Sequence, residues 1–567
     1  MIDFKKEVGK LVSSAVENLT EDEVIELLEI PPNYELGDYA MPCFRLAKEL
    51  KKAPNIIAKE IVENIKEGNE LFEKIENVGP YVNFFINKKT FGETVLREVF
   101  ERKEMFGSSD IGKGQNVTFD YSSPNIAKPF HVGHLRSTVI GNSLYKIYKF
   151  LGYNSIGINH LGDWGTQFGK MISAYKRWGN DEELKKEPIK TLQALYVKFH
   201  EEAEKNPELE DEGRLWFKKL EDGDEEARRI WKWFVDLSLE EFNRIYDLLN
   251  VKFDYYTGES FYEDKMDRIV NMLREKNLLV ESEGAYVVDL EKYNMPPCII
   301  LKSDGTTIYA TRDITAAIYR KETFDFAKSI YITDYSQNLH FAQWMKVIEL
   351  MGYDWAKDLY HASFGRVSTE EGRLQTRKGN VILLDDLLKK AIEKVRVIIE
   401  EKNPNLENKD EVARKVGIGA VIFNDLSNGK IKDIVFNWDR MLSFEGETGP
   451  YVQYTFARAN SVMRKAEVEI TPDVDYSLIT NDEAVNVVRL LYTFPNTIIS
   501  AMEKNEPSFI ARHIIDVAQA FNKFYHECPI IVEDKELQKA RLLLVYSAAT
   551  VIKIGLGLLG IEAPEQM

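Results

Sequence analysis

Asp120-Tyr-Ser-Ser-Pro-Asn-Ile-Ala-Lys-Pro-Phe-His131-Val-Gly-His134-Leu-Arg-Ser-Thr138 constrains this chain more than any other segment. Asn116-Val-Thr-Phe-Asp-Tyr121 before it reads as a short strand of β-branched and aromatic residues. From Val132 the apolar positions Leu135, Val139, Ile140, Leu144, Ile147 and Leu151 follow a helical stripe. A His-x-Gly-His unit therefore opens a helix directly after a buried strand, where a doubly wound sheet binds nucleotides. A helix start offers unpaired N–H groups and a positive dipole end to phosphate. Gly133 clears a side chain where a nucleotide comes close, and His131 and His134 share one face and can donate to phosphate oxygens. A metal pair is the competing chemistry, but no third His or Cys lies nearby, and Lys128 and Arg136 repel a cation.

The segment, with Ser-Ser-Pro-Asn-x-Ala-Lys before the histidines and Leu-Arg-Ser-Thr after, resembles the class I arginyl-tRNA synthetases. So do Asn159-His-Leu-Gly-Asp-Trp-Gly-Thr-Gln-Phe-Gly169, Tyr309-Ala-Thr-Arg-Asp313, Gln337-Asn-Leu-His340, the run Asn437 to Tyr454 and the ending Leu558 to Met567. Together these blocks cover almost the whole chain. The resemblance implies a ligase that activates L-arginine with ATP and Mg2+ and transfers it to tRNA-Arg. It also implies a monomer, and adenylate formation that waits for bound tRNA.

Composition agrees with that class. The chain has 567 residues, room for three or four domains, and its 44% apolar content is ordinary for a soluble protein. No run of about 18 uninterrupted apolar residues occurs, and the start lacks a signal-peptide core, so no membrane role is expected. Cys43, Cys298 and Cys528 are far apart and form no zinc pattern, which points to a reducing cytoplasm with neither disulfide nor zinc. A net charge of −18 argues against charge-driven, nonspecific nucleic-acid binding but leaves local basic patches free to meet RNA.

The expected architecture is multidomain α/β. Residues 1–110 read as a small α/β RNA-binding module, with helices near 3–18 and 55–66 and a strand Tyr81–Ile86. Residues 111–386 read as a Rossmann-like catalytic domain, interrupted by a charged helical insertion near 176–262 whose acidic run reads as a solvated face. The strands expected at 285–290 and 298–302 resume the sheet, 329–333 is a buried parallel strand, and 360–366 is the last one. Residues 387–445 read as a helical connector and 446–567 as a helical anticodon-binding bundle.

The resemblance also distributes roles. Lys128, His131 and His134 are the expected catalytic residues, with Gly133 at the ATP. The second class I signature corresponds to Arg373-Leu-Gln-Thr-Arg-Lys-Gly379, in which Thr376, Arg377, Lys378 and Gly379 match the ATP-binding pattern while Arg373, Leu374 and Gln375 depart. Lys128 stands where a lysine before the histidines substitutes for the missing one. For the amino acid, Asp313 would pair the guanidinium, Tyr309 would pack on it or hydrogen-bond it, Asp120 would be a second carboxylate, Asn125 and Gln337 would hold the α-amino and carboxylate ends, and His131 would assist. His340 and Gln343 are candidates to line the pocket, and Asp163 and Trp164 to shape its ATP side. Tyr81 and Asn83 match D-loop contacts, and Tyr451, Tyr454, Tyr525 and Met567 match anticodon-loop contacts. A synthetase for another amino acid would not need the Asp120, Tyr309 and Asp313 set. A noncatalytic tRNA-binding relative would not need both histidines and Lys128, and a nucleotidyltransferase would not need the flanking RNA modules.

Overall fold

In a computed structural model the chain is described over residues 1–16, 19–65, 70–303, 305–369, 372–373 and 383–567. It divides into two compact units. One comprises Met1–Phe106, Thr455–Pro495 and Asp516–Ile554, and the other Gly107–Tyr454, Asn496–Ile515 and Gly555–Met567.

The second unit is built on a five-stranded, all-parallel sheet. Its strands are β1 (Asn116–Asp120), β2 (Asn154–Asn159), β3 (Tyr255–Tyr256), β4 (Lys328–Tyr331) and β5 (Leu359–His361), in the order β5-β4-β1-β2-β3. The register sets Tyr331 beside Asp120, and Asp120 beside Ile158. The central strands are buried on both faces, as Val117, Phe119, Ile156, Ile158 and Ile330 require. β1 is followed by α1 (Val132–Phe150) and β2 by α2 (Thr166–Trp178), while α3 (Tyr309–Phe324) leads into β4 and α4 (Asn338–Leu350) follows it. The strand order reverses between β1 and β4, so a crevice opens beyond the ends of those two strands.

Three details depart from the sequence expectation. Residues 255–256, placed in the insertion by their charged neighbourhood, form the edge strand β3. The strands Ala285–Val288 and Cys298–Leu301 do not resume the parallel sheet. Ala285–Val288 is the centre of a separate three-stranded antiparallel sheet, pairing with Leu279–Ser282 on one side across a short hairpin and with Cys298–Leu301 on the other. After β5, the strand β6 (Val367–Thr369) pairs in parallel with β7 (Ile434–Phe436), and between them run α5 (Leu384–Lys402) and α6 (Lys409–Leu426).

The insertion is helical as expected, in Asp181–Lys186, Pro188–Lys205, Glu208–Glu221 and Glu225–Leu248. Its acidic run is not wholly solvated: Glu210 and Glu212 pair with Lys170 and Arg177 of α2.

In the first unit Tyr39–Pro42, Tyr81–Ile86 and Phe72–Val78 form an antiparallel sheet with Tyr81–Ile86 central. Phe4 meets Phe72, Phe91 and Tyr492 edge-on, and Arg489 pairs with Asp38 at 2.8 Å. Residues 446–567 carry four long helices, Gly449–Ala466, Asp482–Glu503, Ser508–Glu527 and Lys535–Leu558. The last of these is long and apolar enough to cross a membrane by length and composition, which a count of uninterrupted apolar residues misses. Yet 72% of its apolar stretch is buried inside the protein, the pattern of a core helix.

Candidate active site

The junction between β1 and α1 is strained where the signature begins. Ser122, Ser123 and Ala127 adopt left-handed φ of 68°, 47° and 62°, a conformation non-glycine residues avoid and that clusters at functional sites. The residues after the histidines hold it. Ser137 Oγ accepts from the Ser122 N–H at 2.9 Å and donates to the Ile332 carbonyl at 2.7 Å, tying β1 to the segment after β4. Thr138 Oγ1 donates to Ser122 Oγ at 2.8 Å. The Leu-Arg-Ser-Thr half of the motif is therefore scaffolding for the loop in front of it.

His131 is the N-cap of α1. Its Nδ1 accepts from the Gly133 N–H at 3.0 Å, and His134 Nδ1 accepts from the His131 N–H at 3.2 Å. A backbone N–H can only donate, so each Nδ1 carries a lone pair and each neutral ring keeps its proton on Nε2. Gly133 is glycine for a reason the sequence did not disclose: a Cβ there would lie 2.8 Å from His131 Cε1, so the ring could not fold back onto the helix start. Burial pushes the His134 pKa down to about 3, with the neighbouring His131 adding to the effect, and burial lowers His131 as well. Both imidazoles are neutral near pH 7 and act as hydrogen-bond donors without charge.

A cavity of about 520 Å³ lies at this point. Gly133, His134, Ser122 and Ser123 line one side, and Asp120, Asn125, Tyr309, Asp313 and Gln337 line it as well. Five of the six residues expected to meet the amino acid thus share one cavity. The sixth, His131, is outside the lining and sits behind His134, ring centroids 3.9 Å apart. Lys128 is exposed on the loop and also outside the lining. Thr376, Arg377, Lys378 and Gly379 lie outside the described residues.

The cavity is acidic. Asp120, Glu259, Asp313 and Asp334 all line it, and each has a cationic or imidazole partner. Arg320 lies 2.8 Å from Asp120, Arg312 3.1 Å from Glu259, Arg366 3.4 Å from Asp334, and His340 Nε2 2.5 Å from Asp313 Oδ2. Asp120 lines the cavity but is also engaged within the protein. One of its oxygens faces the buried Arg320 and the other accepts from Ser123 Oγ at 2.9 Å, so it is largely committed within the protein. Glu259 was not singled out from sequence. Burial raises its pKa to about 7, opposed by Arg312 and reinforced by Asp163 and Asp313. It arrives on a short 3-10 turn, Glu259–Lys265, with no motif to mark it.

Several smaller expectations resolve. Asn125 lies on Gly162, where a Cβ would meet Asn125 Oδ1 at 2.0 Å, which explains a glycine in the Asn159–Gly169 block. His340 lines the cavity, whereas Gln343 donates to the Pro296 carbonyl and does not. Asp163 and Trp164 stand outside the lining. Asp163 accepts from Ser260 N–H and Oγ, and Trp164 meets Trp231 edge-on, so both fasten neighbouring segments.

The expected RNA contacts lie apart from the cavity. Tyr81 is half-buried against Phe44, ring centroids 5.7 Å apart. Asn83, by contrast, is only 3% exposed, which leaves its amide almost no surface to offer a base. Tyr454 is exposed beside Phe444, Tyr451 is half-buried, the Arg458 guanidinium lies 5.6 Å from the Tyr525 ring, and the Met567 carbonyl accepts from Asn403.

A parallel sheet whose first crossover helix opens on His-x-Gly-His beside a substrate-sized cavity is the arrangement of a class I aminoacyl-tRNA synthetase. The family model for the class I (R) tRNA synthetase catalytic domain matches residues 96–438, that for the arginyl tRNA synthetase N terminal domain residues 5–86, and that for the DALR anticodon binding domain residues 452–567. The chain belongs to the arginyl-tRNA synthetases. It is 60% identical to the arginine–tRNA ligase of Alkaliphilus metalliredigens and 58% identical to that of Halothermothrix orenii, in each case over 100% of both chains. Among solved structures it resembles Thermus thermophilus arginyl-tRNA synthetase (TM-score 0.82, 26% identity, 99% of this chain and 100% of the other). It also resembles the Plasmodium falciparum enzyme (TM-score 0.79, 26% identity, 100% and 98%).

Proposed function

We propose that this chain is an arginine–tRNA ligase working in two steps in the described cavity. The carboxylate of L-arginine attacks the α-phosphorus of ATP, forming arginyl-adenylate as pyrophosphate leaves. A ribose hydroxyl of the 3′-terminal adenosine of tRNA-Arg then attacks the adenylate carbonyl, and AMP leaves. Neither step requires a covalent enzyme intermediate, so orientation and fixed dipoles supply the acceleration.

The observation that carries this reading is the convergence of the His134 helix start and four carboxylates on one cavity of about 520 Å³. The helix start suits phosphate. The acidic wall suits a guanidinium, which presents planar paired donors to carboxylate oxygens. We assign Asp313 to the guanidinium, with Glu259 supporting it and Tyr309 against its face, and Asn125 and Gln337 to the α-amino and carboxylate ends. His134 Nε2–H donates to ATP phosphate oxygens, with His131 holding it in place. Lys128 and residues 376–379 contribute phosphate contacts, and ATP enters as its Mg2+ complex.

In working segments, 1–110 meets the outer tRNA through Tyr81, 111–386 performs catalysis, 387–445 connects, and 446–567 reads the anticodon loop with Tyr451, Tyr454, Tyr525 and Met567. The enzyme acts as a cytoplasmic monomer, and adenylate formation waits for bound tRNA. The test is ATP–pyrophosphate exchange across a panel of amino acids, with and without tRNA-Arg. Exchange with arginine alone, dependent on tRNA, is expected. Exchange with arginine but without tRNA removes the gating, and no exchange with arginine in either condition removes the assignment.

A further inference from the structure

Arg136 follows His134 by two residues on α1, is 1% exposed, and does not line the cavity. Its Nη1 donates to two backbone carbonyls, those of Gly365 and Lys432, each at 2.8 Å. Its Nε donates to Asp425 Oδ1 of α6 at 3.1 Å, and its guanidinium lies 5.7 Å from the Phe364 ring. Phe364 is a wall of the cavity, and its N–H donates to the Thr333 carbonyl at 3.1 Å. Gly365 and Lys432 stand just before β6 and β7, and they approach so closely that a Cβ on Gly365 would lie 2.5 Å from the Lys432 oxygen.

A buried ion pair adds little net stability over apolar side chains of similar volume, because desolvation offsets the attraction. What a guanidinium supplies here is a rigid head that holds the Gly365 and Lys432 carbonyls together, with Asp425 balancing its charge. Those carbonyls belong to the approaches to β6 and β7, and the guanidinium is rooted on the helix that presents His134.

We propose that Arg136 is a positioning residue for adenylate formation, setting the distance between the His134 donor and the Phe364 wall. This rests on reading the cavity as the adenylate-forming site. Loss of the clasp leaves both arginine-binding carboxylates and phosphate donors intact but lets the two sides of the cavity drift, which lowers the rate of reaction of bound substrates more than it weakens binding.

The test compares Arg136→Lys, Gly365→Ala and Asp425→Asn in the full-length protein. Lysine is one bond shorter, so its ammonium does not reach the Nη1 position that meets both carbonyls; the alanine wedges Gly365 from Lys432 without touching Arg136, and Asp425→Asn spares the carbonyl contacts. Unfolding midpoints are measured first, then kcat and KM for arginine and ATP in arginine-dependent exchange with tRNA-Arg, well below each midpoint. Expected is a fall in kcat of about 10- to 100-fold for Arg136→Lys and Gly365→Ala, with both KM values within about threefold. Asp425→Asn, although destabilised as much, stays within about threefold of wild-type kcat. The proposal is overturned if the first two keep their kcat, or if activity in all three follows the unfolding midpoint. Should Arg136→Lys fail to fold, Gly365→Ala against Asp425→Asn decides by the same criteria. A wild-type chain without arginine-dependent exchange overturns the functional reading and this inference together, whereas an active wild type with unaffected variants overturns this inference alone.

Discussion

Glu259 lies 3.1 Å from the Arg312 guanidinium, and the next residue, Asp313, has its Oδ2 2.5 Å from His340 Nε2. Two cavity carboxylates are thus tethered at one turn of α3, Glu259 by Arg312 and Asp313 by His340. An incoming guanidinium is met by remaining lone pairs in fixed directions, so geometry as well as charge selects the ligand.

Removing the charge from Asp313 tests its assignment. Asp313→Asn is expected to raise KM for arginine by about 10- to 100-fold, the range for a charge-assisted hydrogen bond of roughly 1.5–3 kcal/mol. KM for ATP stays within about threefold, as steady-state exchange kinetics will report. Equal increases for both substrates would contradict the assignment.

Glu259 gives the arginine affinity a pH dependence. Its carboxyl has a pKa raised to about 7, chiefly by burial, so it is partly protonated at neutral pH. A bound cation favours the ionised form, so binding takes up less arginine as pH falls through 7 and more as it rises. KM for arginine is expected to fall between pH 6 and 8 (values of order one unit either side of the shifted pKa), and Glu259→Gln should flatten that slope. A variant that keeps the wild-type slope would assign it to another group.

His134 acts as a neutral donor. His134→Ala should lower kcat by about 10²- to 10³-fold, the cost of losing one preorganised donor. His134→Asn, whose amide still donates, should recover part of it. Because burial holds the imidazole pKa near 3, no kcat inflection from His134 is expected between pH 5 and 8. Such an inflection, absent in His134→Asn, would mean that the imidazolium is the working form.

Gly162 carries Asn125. Gly162→Ala brings a Cβ to 2.0 Å from Asn125 Oδ1, so the amide must leave its present place. A loss of about 1–3 kcal/mol in stability is expected from overpacking, together with a higher KM for arginine. Denaturant titration and exchange kinetics check the two halves separately.

What was legible in the chain was local. The helix start after a strand and the buried strands β1 and β4 each depend on residues a few positions apart, so spacing and burial pattern reveal them, whereas the pocket roles of Tyr309 and Asp313 come from the family resemblance. Glu259, Asp334 and His160 reach the same cavity from segments far apart in sequence, and no periodicity marks such a convergence. The partner of Asp120 is illegible for the same reason: Arg320 is 200 positions away and appears in the chain as one more helical arginine. The three-residue strand β7 was missed because it is too short to carry an alternating pattern. Asn83 shows the limit of resemblance, since a matching residue type did not disclose that this strand position is buried.

The most direct test of an acidic cavity that selects a guanidinium sets arginine against citrulline, which has the same shape but a neutral ureido group. Exchange with tRNA-Arg present is measured for each, and kcat/KM compared. A preference for arginine of about 10³-fold or more is expected, since a ureido group leaves the cavity carboxylates without their cationic partner. Comparable kcat/KM for the two would contradict recognition by Asp313 and Glu259 and leave shape alone to account for the choice of substrate.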